Sequence, residues 1–232
     1  MRPADVPEVR ALPLFGGMSE GAFEQLVRGA YVQNFPASVE LLTEGDRADF
    51  LHIVVEGLVE LFAGWNRRET TMAVMRPVST FILAATIRDA PCLMSARTLE
   101  KSRIVLVPSE AVREIFAEDG SFARSVVTEL ATSYRMVVKT TKDLKLRNSV
   151  ERLANYILRL RTAAGNGCDC ALDIEKRRLA SYLGMTAENL SRAIKALRPY
   201  GVVIEGNRVR IERPGELERL AKPTPLIDDP AL

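Results

Sequence analysis

Asp173-Ile174-Glu175-Lys176-Arg177-Arg178-Leu179-Ala180-Ser181-Tyr182-Leu183-Gly184-Met185-Thr186-Ala187-Glu188-Asn189-Leu190-Ser191-Arg192-Ala193-Ile194-Lys195-Ala196-Leu197 sets two apolar patterns of helical period on either side of a glycine. Leu179, Ala180 and Leu183 fall on one face of a first helix that Asp173 is placed to cap, and Gly184 ends it. Thr186 caps a second helix, in which Leu190, Ala193, Ile194 and Leu197 face inward. Two short helices joined by so tight a connection form a helix-turn-helix, and the small Ala180 lets them approach closely. Beyond Pro199-Tyr200-Gly201, the β-rich runs Val202–Glu205 and Arg208–Ile211 flank Gly206-Asn207. That is the pattern of a two-residue hairpin, lying where a wing would follow the helix pair.

The other face of the second helix decides what such a unit would touch. With the apolar positions turned inward, Ala187, Glu188, Ser191, Arg192 and Lys195 point outward as short or polar groups that fit a DNA major groove. Glu188, Ser191 and Arg192 are the expected base readers. The Arg192 guanidinium matches guanine O6 and N7 with two parallel hydrogen bonds, while Glu188 accepts from a cytosine amine and steadies the guanidinium one turn on. Phosphate or supporting contacts are expected from Lys176, Arg177, Arg178, Lys195, Arg208 and Arg210, with Thr186, Ala187 and Asn189 at the helix terminus. The charge distribution agrees with a nucleic-acid module. Residues 148–222 hold fourteen Lys and Arg against nine Asp and Glu; the whole chain has 32 against 30, so the rest of it is net acidic by three.

Upstream, the chain reads as a β-rich domain followed by a long helix. Ser19 is placed to cap a small helix bearing Phe23, Leu26 and Val27 that ends near Gly29. Between Tyr31 and Val107 the short runs Leu51–Val55, Val59–Phe62, Thr70–Met75 and Ile104–Val107 alternate with turn signals, which predicts a barrel or sandwich. Ser79–Asp89, richer in alanine, reads as a short helix, and Ser109 as the cap of another through Phe116. From Ala123 an alternation of four and three residues picks out Val127, Leu130, Tyr134, Val137, Thr141 and Leu144. This heptad seam predicts pairing with a second copy of the chain, and a stripe through Phe122, Val126, Ser133 and Val138 is expected to pack on the chain's own domain. Asn148 and Glu151 form a capping box that restarts the helix. The expected organisation is α+β: a sensory β-roll over residues 1–119, a dimerisation helix over 120–147, a winged helix-turn-helix over 148–222 and a flexible tail over 223–232.

Composition bounds the function. With 47% hydrophobic, 27% charged and 6% aromatic residues in 232, the chain is globular and large enough for two domains. No apolar stretch approaches the roughly 18–20 residues of a spanning helix, and the N-terminus has no signal-like core, so a cytoplasmic place without membrane contact is expected. Cys92, Cys168 and Cys170 are too few for a disulfide framework, and the single His52 excludes sites that need two. The chain has no Gly-x-Ser-x-Gly, no phosphate-binding glycine loop and no cluster of metal ligands, which argues against an enzyme.

Gly45-Asp46, Val54-Val55-Glu56-Gly57-Leu58-Val59-Glu60-Leu61 and Gly184-Met185-Thr186-Ala187-Glu188-Asn189-Leu190-Ser191-Arg192 resemble the superfamily of the cyclic-AMP receptor protein and the fumarate-nitrate reduction regulator (CRP/FNR). The resemblance covers nearly the whole chain. It implies a sequence-specific DNA-binding transcriptional regulator, a homodimer on double-stranded DNA that works with RNA polymerase. Glu188, Ser191 and Arg192 keep the Glu-x-x-Ser-Arg arrangement of the oxygen-regulator branch, whose members read TTGAT-type half-sites in an inverted repeat. The alternative is a non-DNA ligand-binding or scaffold protein that uses the C-terminal domain for protein interaction.

The departures from the family pattern concern the effector. Members that bind cyclic AMP carry a Gly-Glu pair and, about ten residues later, an Arg-Ser pair. The corresponding Ser79–Ala84 and Leu93–Ala96 lack the Gly, the Glu and the Arg, so cyclic AMP is not the expected effector. The cysteine cluster of an iron–sulfur centre is absent too. His52, Phe81, Leu83, Cys92, Met94 and Ser95 are the candidate lining of a pocket for a small hydrophobic or gaseous ligand, or of no site at all. His52 with Cys92 or Met94 could hold haem, against its reading as a satisfied core histidine. Cys168-Asp169-Cys170, in an expected loop, is either a redox pair or incidental.

Overall fold

The computed structural model describes residues 1 and 3–229. The chain divides into two compact units, Met1–Ser133 and Tyr134–Leu232. The dividing line falls inside one continuous helix, so the 120–147 segment belongs partly to each unit.

In the first unit, helices α1 (Val6–Arg10) and α2 (Glu20–Arg28) precede strands β1 (Tyr31–Phe35), β2 (Glu40–Leu42), β3 (Phe50–Glu56), β4 (Val59–Trp65), β5 (Arg68–Met75) and β6 (Ser79–Phe81). Helix α3 (Leu83–Arg88), strands β7 (Ser95–Thr98) and β8 (Ser102–Pro108), helix α4 (Ser109–Glu118) and the long α5 (Gly120–Leu146) follow. The strands form two antiparallel sheets, β1-β8-β3-β6 and β2-β7-β4-β5. Strand β3 explains the layering, because side chains alternate across a strand. Leu51, Ile53 and Val55 join Phe15, Phe23, Ile115 and Phe122 beneath the helices, whereas Val54 joins Val59, Leu61, Phe81, Ile104 and Leu106 between the sheets. Gly57 makes the β3–β4 turn possible: its φ is +89°, and a Cβ there would meet the Ser102 Oγ at 2.4 Å.

Several local expectations are met. Ser19 Oγ accepts from the Ala22 amide at the start of α2, and Asn148 and Glu151 exchange the two bonds of a capping box. Others are corrected. Ser109 is not a cap but the buried first residue of α4, and its hydroxyl reaches Thr86 Oγ1. Ser79–Asp89 is only half helical, since Ser79–Phe81 pairs with β3 as β6. On α5, Phe122 and Val126 are buried, but Ser133 and Val138 are exposed, so the inward stripe ends after two turns. Along the seam Val127, Tyr134, Thr141 and Leu144 are exposed, Val137 is 62% exposed, and Leu130 is half-buried.

The second unit continues with α6 (Ser149–Ala163), β9 (Asp169–Ala171), α7 (Lys176–Tyr182), α8 (Ala187–Leu197), β10 (Val202–Glu205), β11 (Arg208–Ile211), α9 (Pro214–Ala221) and α10 (Pro225–Asp228). Leu153 and Ile157 of α6, Leu179, Leu190, Leu197, Val209 and Leu217 are its buried centre. The sheet has three strands in the order β10-β11-β9. Cys170 therefore lies in an edge strand rather than a loop; burial and then Asp169 push its thiol up, away from the thiolate that redox exchange needs. The flexible tail expected over 223–232 is corrected for 223–229. Those residues include α10, and Asp228 there bonds Arg147; residues 230–232 lie outside the described residues.

Candidate nucleic-acid interface and effector cleft

Helix α8 starts where the Thr186 hydroxyl accepts from the Asn189 amide at 3.2 Å. Its apolar positions Leu190, Ala193 and Leu197 are buried and Ile194 is half-buried, which leaves Ala187, Glu188, Ser191, Arg192 and Lys195 together on the exposed face. The two detailed expectations for this face fare differently. All three expected base readers are accessible on one face, but Glu188 does not steady Arg192: the guanidinium donates to the Asn189 side-chain oxygen. Ser191 Oγ donates to the Ala187 carbonyl one turn back.

Helix α7 is not capped by Asp173. Its cap residue is Glu175, and Asp173 instead accepts from the Tyr156 hydroxyl. Lys176 and Arg177 are exposed near the start of α7, and Arg178 bonds Glu175 at 3.0 Å. Arg208 and Arg210 lie on one exposed face of β11, sharing the Asp169 carboxylate at 3.4 and 3.5 Å. These weak, exposed pairs leave both guanidinium groups accessible to a phosphate.

The turn between α7 and α8 is held by Gly184, against Leu144, and by Arg152, which helical periodicity does not single out. Gly184 has φ +63°, and a Cβ there would fall 2.6 Å from Leu144 Cδ2. Arg152, nine-tenths buried, donates to the Leu183 carbonyl at 2.8 Å and the Arg147 carbonyl at 2.6 Å. Longer bonds reach Gly184 and Leu144. One guanidinium thus caps the carbonyl end of α5 and ties it to the helix-turn-helix turn. Beside it, Arg147 bonds both Asp228 oxygens, at 2.6 and 2.8 Å, and Asp143 at 2.9 Å.

In the first unit, a cleft of about 420 Å³ is lined by Leu41, Leu42, Phe50, His52 and Ile82, with the exposed Asp46, Arg47 and Asp49 at its rim. His52 is 6% exposed. Burial outweighs its bond to the Phe50 carbonyl and lowers its pKa to about 4, so the ring is neutral at neutral pH. Phe81 stacks on it with ring centroids 4.8 Å apart. The other expected pocket residues do not line this cleft. Leu83 packs beneath the helices and Met94 against the core between the sheets. The Cys92 amide and carbonyl bond Asp46 and Gly45, and Ser95 Oγ accepts from the Glu44 amide. His52 is thus not joined at the cleft wall by either expected haem partner. Ile82 has φ +60°, a left-handed backbone rare for a β-branched residue, within the stretch where the resemblance places a glycine.

The arginine just beyond the Leu93–Ala96 stretch is held internally. Arg97, two residues beyond Ser95, is held by the buried Glu60 at 2.8 Å and by Glu69 at 3.1 Å, with its guanidinium over the Phe62 ring. The rim adds two carboxylates against one arginine, which disfavours an anion. Among the described residues no group of three His, Cys, Asp or Glu side chains could hold a metal ion, and no helix is long and apolar enough to cross a membrane.

The family description "Cyclic nucleotide-binding domain" matches residues 32–119, and "Crp-like helix-turn-helix domain" matches residues 151–220. A CRP-like cAMP-activated global transcriptional regulator of Mycobacterium tuberculosis is 24% identical over 215 residues, covering 90% of this chain and 95% of its own. Among solved structures, one described as a regulator of the CRP/FNR family from Eubacterium rectale superposes with a TM-score of 0.75 at 17% identity, over 91% of this chain and 99% of that one. The c-di-GMP responsive global regulator CLP of Xanthomonas campestris gives 0.69 at 16% identity, over 83% and 99%. These matches follow the chain in order, β-rich unit first and helix-turn-helix last: the protein belongs to the CRP/FNR family of transcriptional regulators.

Proposed function

We propose that this regulator acts as a cytoplasmic homodimer, reads an inverted repeat of TTGAT-like half-sites, works with RNA polymerase and answers a signal other than cyclic AMP. The observation that carries the reading is the exposed face of α8, where Glu188, Ser191 and Arg192 stand over a sealed apolar floor. Arg192 supplies the guanine contact and Glu188 the cytosine contact, while Ser191 reads beside them. Lys176, Arg177, Arg178, Lys195, Arg208 and Arg210 supply the phosphate contacts that fix register, with Thr186, Ala187 and Asn189 supporting them at the helix start.

The exposed seam of α5 supports dimerisation, since Val127, Tyr134, Val137 and Leu144 present apolar side chains at heptad spacing to solvent. In a two-fold dimer the two reading helices must lie one DNA turn apart, about 34 Å, to meet successive half-sites. A signal acts by biasing between seatings of the reading heads, with Asn148 and its neighbours as the hinge. The Mycobacterium tuberculosis relative is described as cAMP-activated and the Xanthomonas campestris neighbour as c-di-GMP responsive, so the shared fold leaves the effector to the residues of each site.

Selection from a randomised duplex pool with the full chain tests the reading. Enrichment of an inverted repeat with TTGAT-like half-sites is expected, without added cyclic AMP. A pool that stays random, or a tight and saturable calorimetric titration with cyclic AMP, would overturn it.

A further inference from the structure

His52, which lines the cleft, carries an unused hydrogen-bond acceptor. His52 Nδ1 lies 2.9 Å from the Phe50 carbonyl; a carbonyl only accepts, so Nδ1 carries the proton and Nε2 keeps a bare lone pair. Nε2 has no partner among the described residues. It is not sealed either, because the one fully enclosed side-chain polar atom without a partner is Asn155 Oδ1. His52 is among the residues that line the cleft. A neutral, largely buried acceptor on a residue that lines this mixed polar and apolar cleft favours a ligand that brings a donor, since an unpaired buried donor or acceptor is costly.

The walls and the mouth select the rest of the molecule. Leu41, Leu42, Phe50 and Ile82 supply the apolar part of the lining, suited to a hydrocarbon or aromatic body. At the mouth Asp46 and Asp49 face solvent, and Arg47, 80% exposed, is drawn toward Asp89 at 3.9 Å. The rim is therefore net anionic and favours a cation.

We infer that this cleft binds an arylalkylamine: an aromatic ring between the apolar walls, a ring hydroxyl or N–H donating to His52 Nε2, and an ammonium at Asp46 and Asp49. The inference rests on the reading that the signal is not cyclic AMP, and gives that signal a chemical class. No bond is made or broken. The ligand joins the β2 side of the cleft, through Leu41 and Leu42, to β3 and to Ile82 at the start of α3, and so stabilises one arrangement of these elements.

Tyramine serves as the probe, in calorimetric titration of the full chain at pH 7. Saturable binding of one molecule per chain is expected, with phenethylamine, which lacks the hydroxyl, about tenfold weaker. His52→Phe keeps a ring against Phe81 and is expected to bring tyramine down to the level of phenethylamine. Asp49→Asn, on the exposed rim and harmless to folding, is expected to weaken both amines at least threefold and to flatten their salt dependence. No saturable binding of tyramine, or equal affinity in the wild type and both variants, overturns the inference. Duplex selection separates this failure from that of the regulator reading. A chain that enriches an inverted repeat but ignores tyramine loses the ligand class alone, and one that binds tyramine but enriches no duplex keeps the ligand site and loses the DNA reading.

Discussion

In the N-terminal unit Arg97 sits against the buried Glu60 carboxylate, reaches Glu69 and covers the Phe62 ring. In the C-terminal unit Arg192 stands on the open face of α8 with Asn189 as its hydrogen-bond partner, and Lys176, Arg177 and Lys195 make no ion pair among the described residues. The same residue type is used up internally in one unit and presented outward in the other. A cation already held by two carboxylates has little to offer a phosphate, whereas one lightly restrained by an amide can exchange that bond for a base edge. Arg152 is a third case: a buried guanidinium satisfied by backbone carbonyls alone. Placement, more than the total of +2, separates the two units.

The strongest way to break this comparison is to treat Arg152 as though it were a reader. If it is scaffolding, Arg152→Met keeps the stem but strips the donors from the Leu183 and Arg147 carbonyls. Two buried acceptors left unpaired cost about 3 kcal/mol together. Urea unfolding should show that loss, and the affinity for every duplex should fall together. A variant with unchanged stability and altered base preference would place Arg152 among the readers.

The N-terminal unit has its own signature. The folded pKa of His52, about 4, lies below the value near 6.5 of an unfolded chain. As pH falls, the unfolded state takes the proton first. The contribution is complete above about pH 6.5 and is lost as pH falls through that value toward 4, in total about 3 kcal/mol. His52→Phe should remove this component, so that its unfolding midpoint falls less steeply between pH 7 and 4.5 than that of the wild type. Parallel curves would mean that the ring is not held neutral.

Arg192→Ala sharpens the other side. It should lower affinity for the selected site by about 1–3 kcal/mol and erase the preference for guanine, leaving salt-sensitive binding to unrelated duplexes nearly intact. A gel shift on matched and mutated half-sites measures both, and an equal loss on every duplex would make Arg192 a phosphate contact.

Legibility in the sequence follows the range of the interactions. The hairpin limits Val202–Glu205 and Arg208–Ile211 and the capping box at Asn148 are written within a few residues and are read off directly. Strands β1 and β2 are not, because they are short, largely exposed and paired with β8 and β7 far along the chain. Asp173 misleads for a related reason: an acid shortly before a helix looks like a cap, but the distant Tyr156 hydroxyl takes it. Arg152 gave one faint signal, a charged residue directly before the buried Leu153 and Ala154 of an apolar helix face, with the Leu183 and Gly184 carbonyls it reaches about thirty residues away. Of the pocket residues expected from the sequence, only His52 lines the cleft. His52 and Phe81 come together as stacked rings, but the rim of Asp46, Arg47 and Asp49 depends on how the turn before β3 folds over β2.

The smallest expected effect concerns the segment after α9, which helix and strand periodicity do not flag. Burial alone would push the Asp228 carboxyl up. The Arg147 guanidinium, the Thr224 amide and Arg159 together hold it below the ordinary carboxylate value. Because the folded pKa is lowered, its contribution is complete above about pH 4 and is lost only as pH falls through the folded value. At neutral pH the clasp is therefore constant, and mutation must probe it. Asp228→Asn keeps the shape and loses the charge, while Arg147 retains Asp143. The cost should be about 1 kcal/mol and local, because the apolar centre of the unit is untouched. Hydrogen exchange should quicken about fivefold at the amides of Asp228 and Asp229, which bond the Thr224 and Pro225 carbonyls, with no change at Leu153 or Ile157. Faster exchange at those two α6 residues would mean that Asp228 supports the whole reading unit, and that its arginine pairs matter as much to the reader as Glu60 does to the sensor.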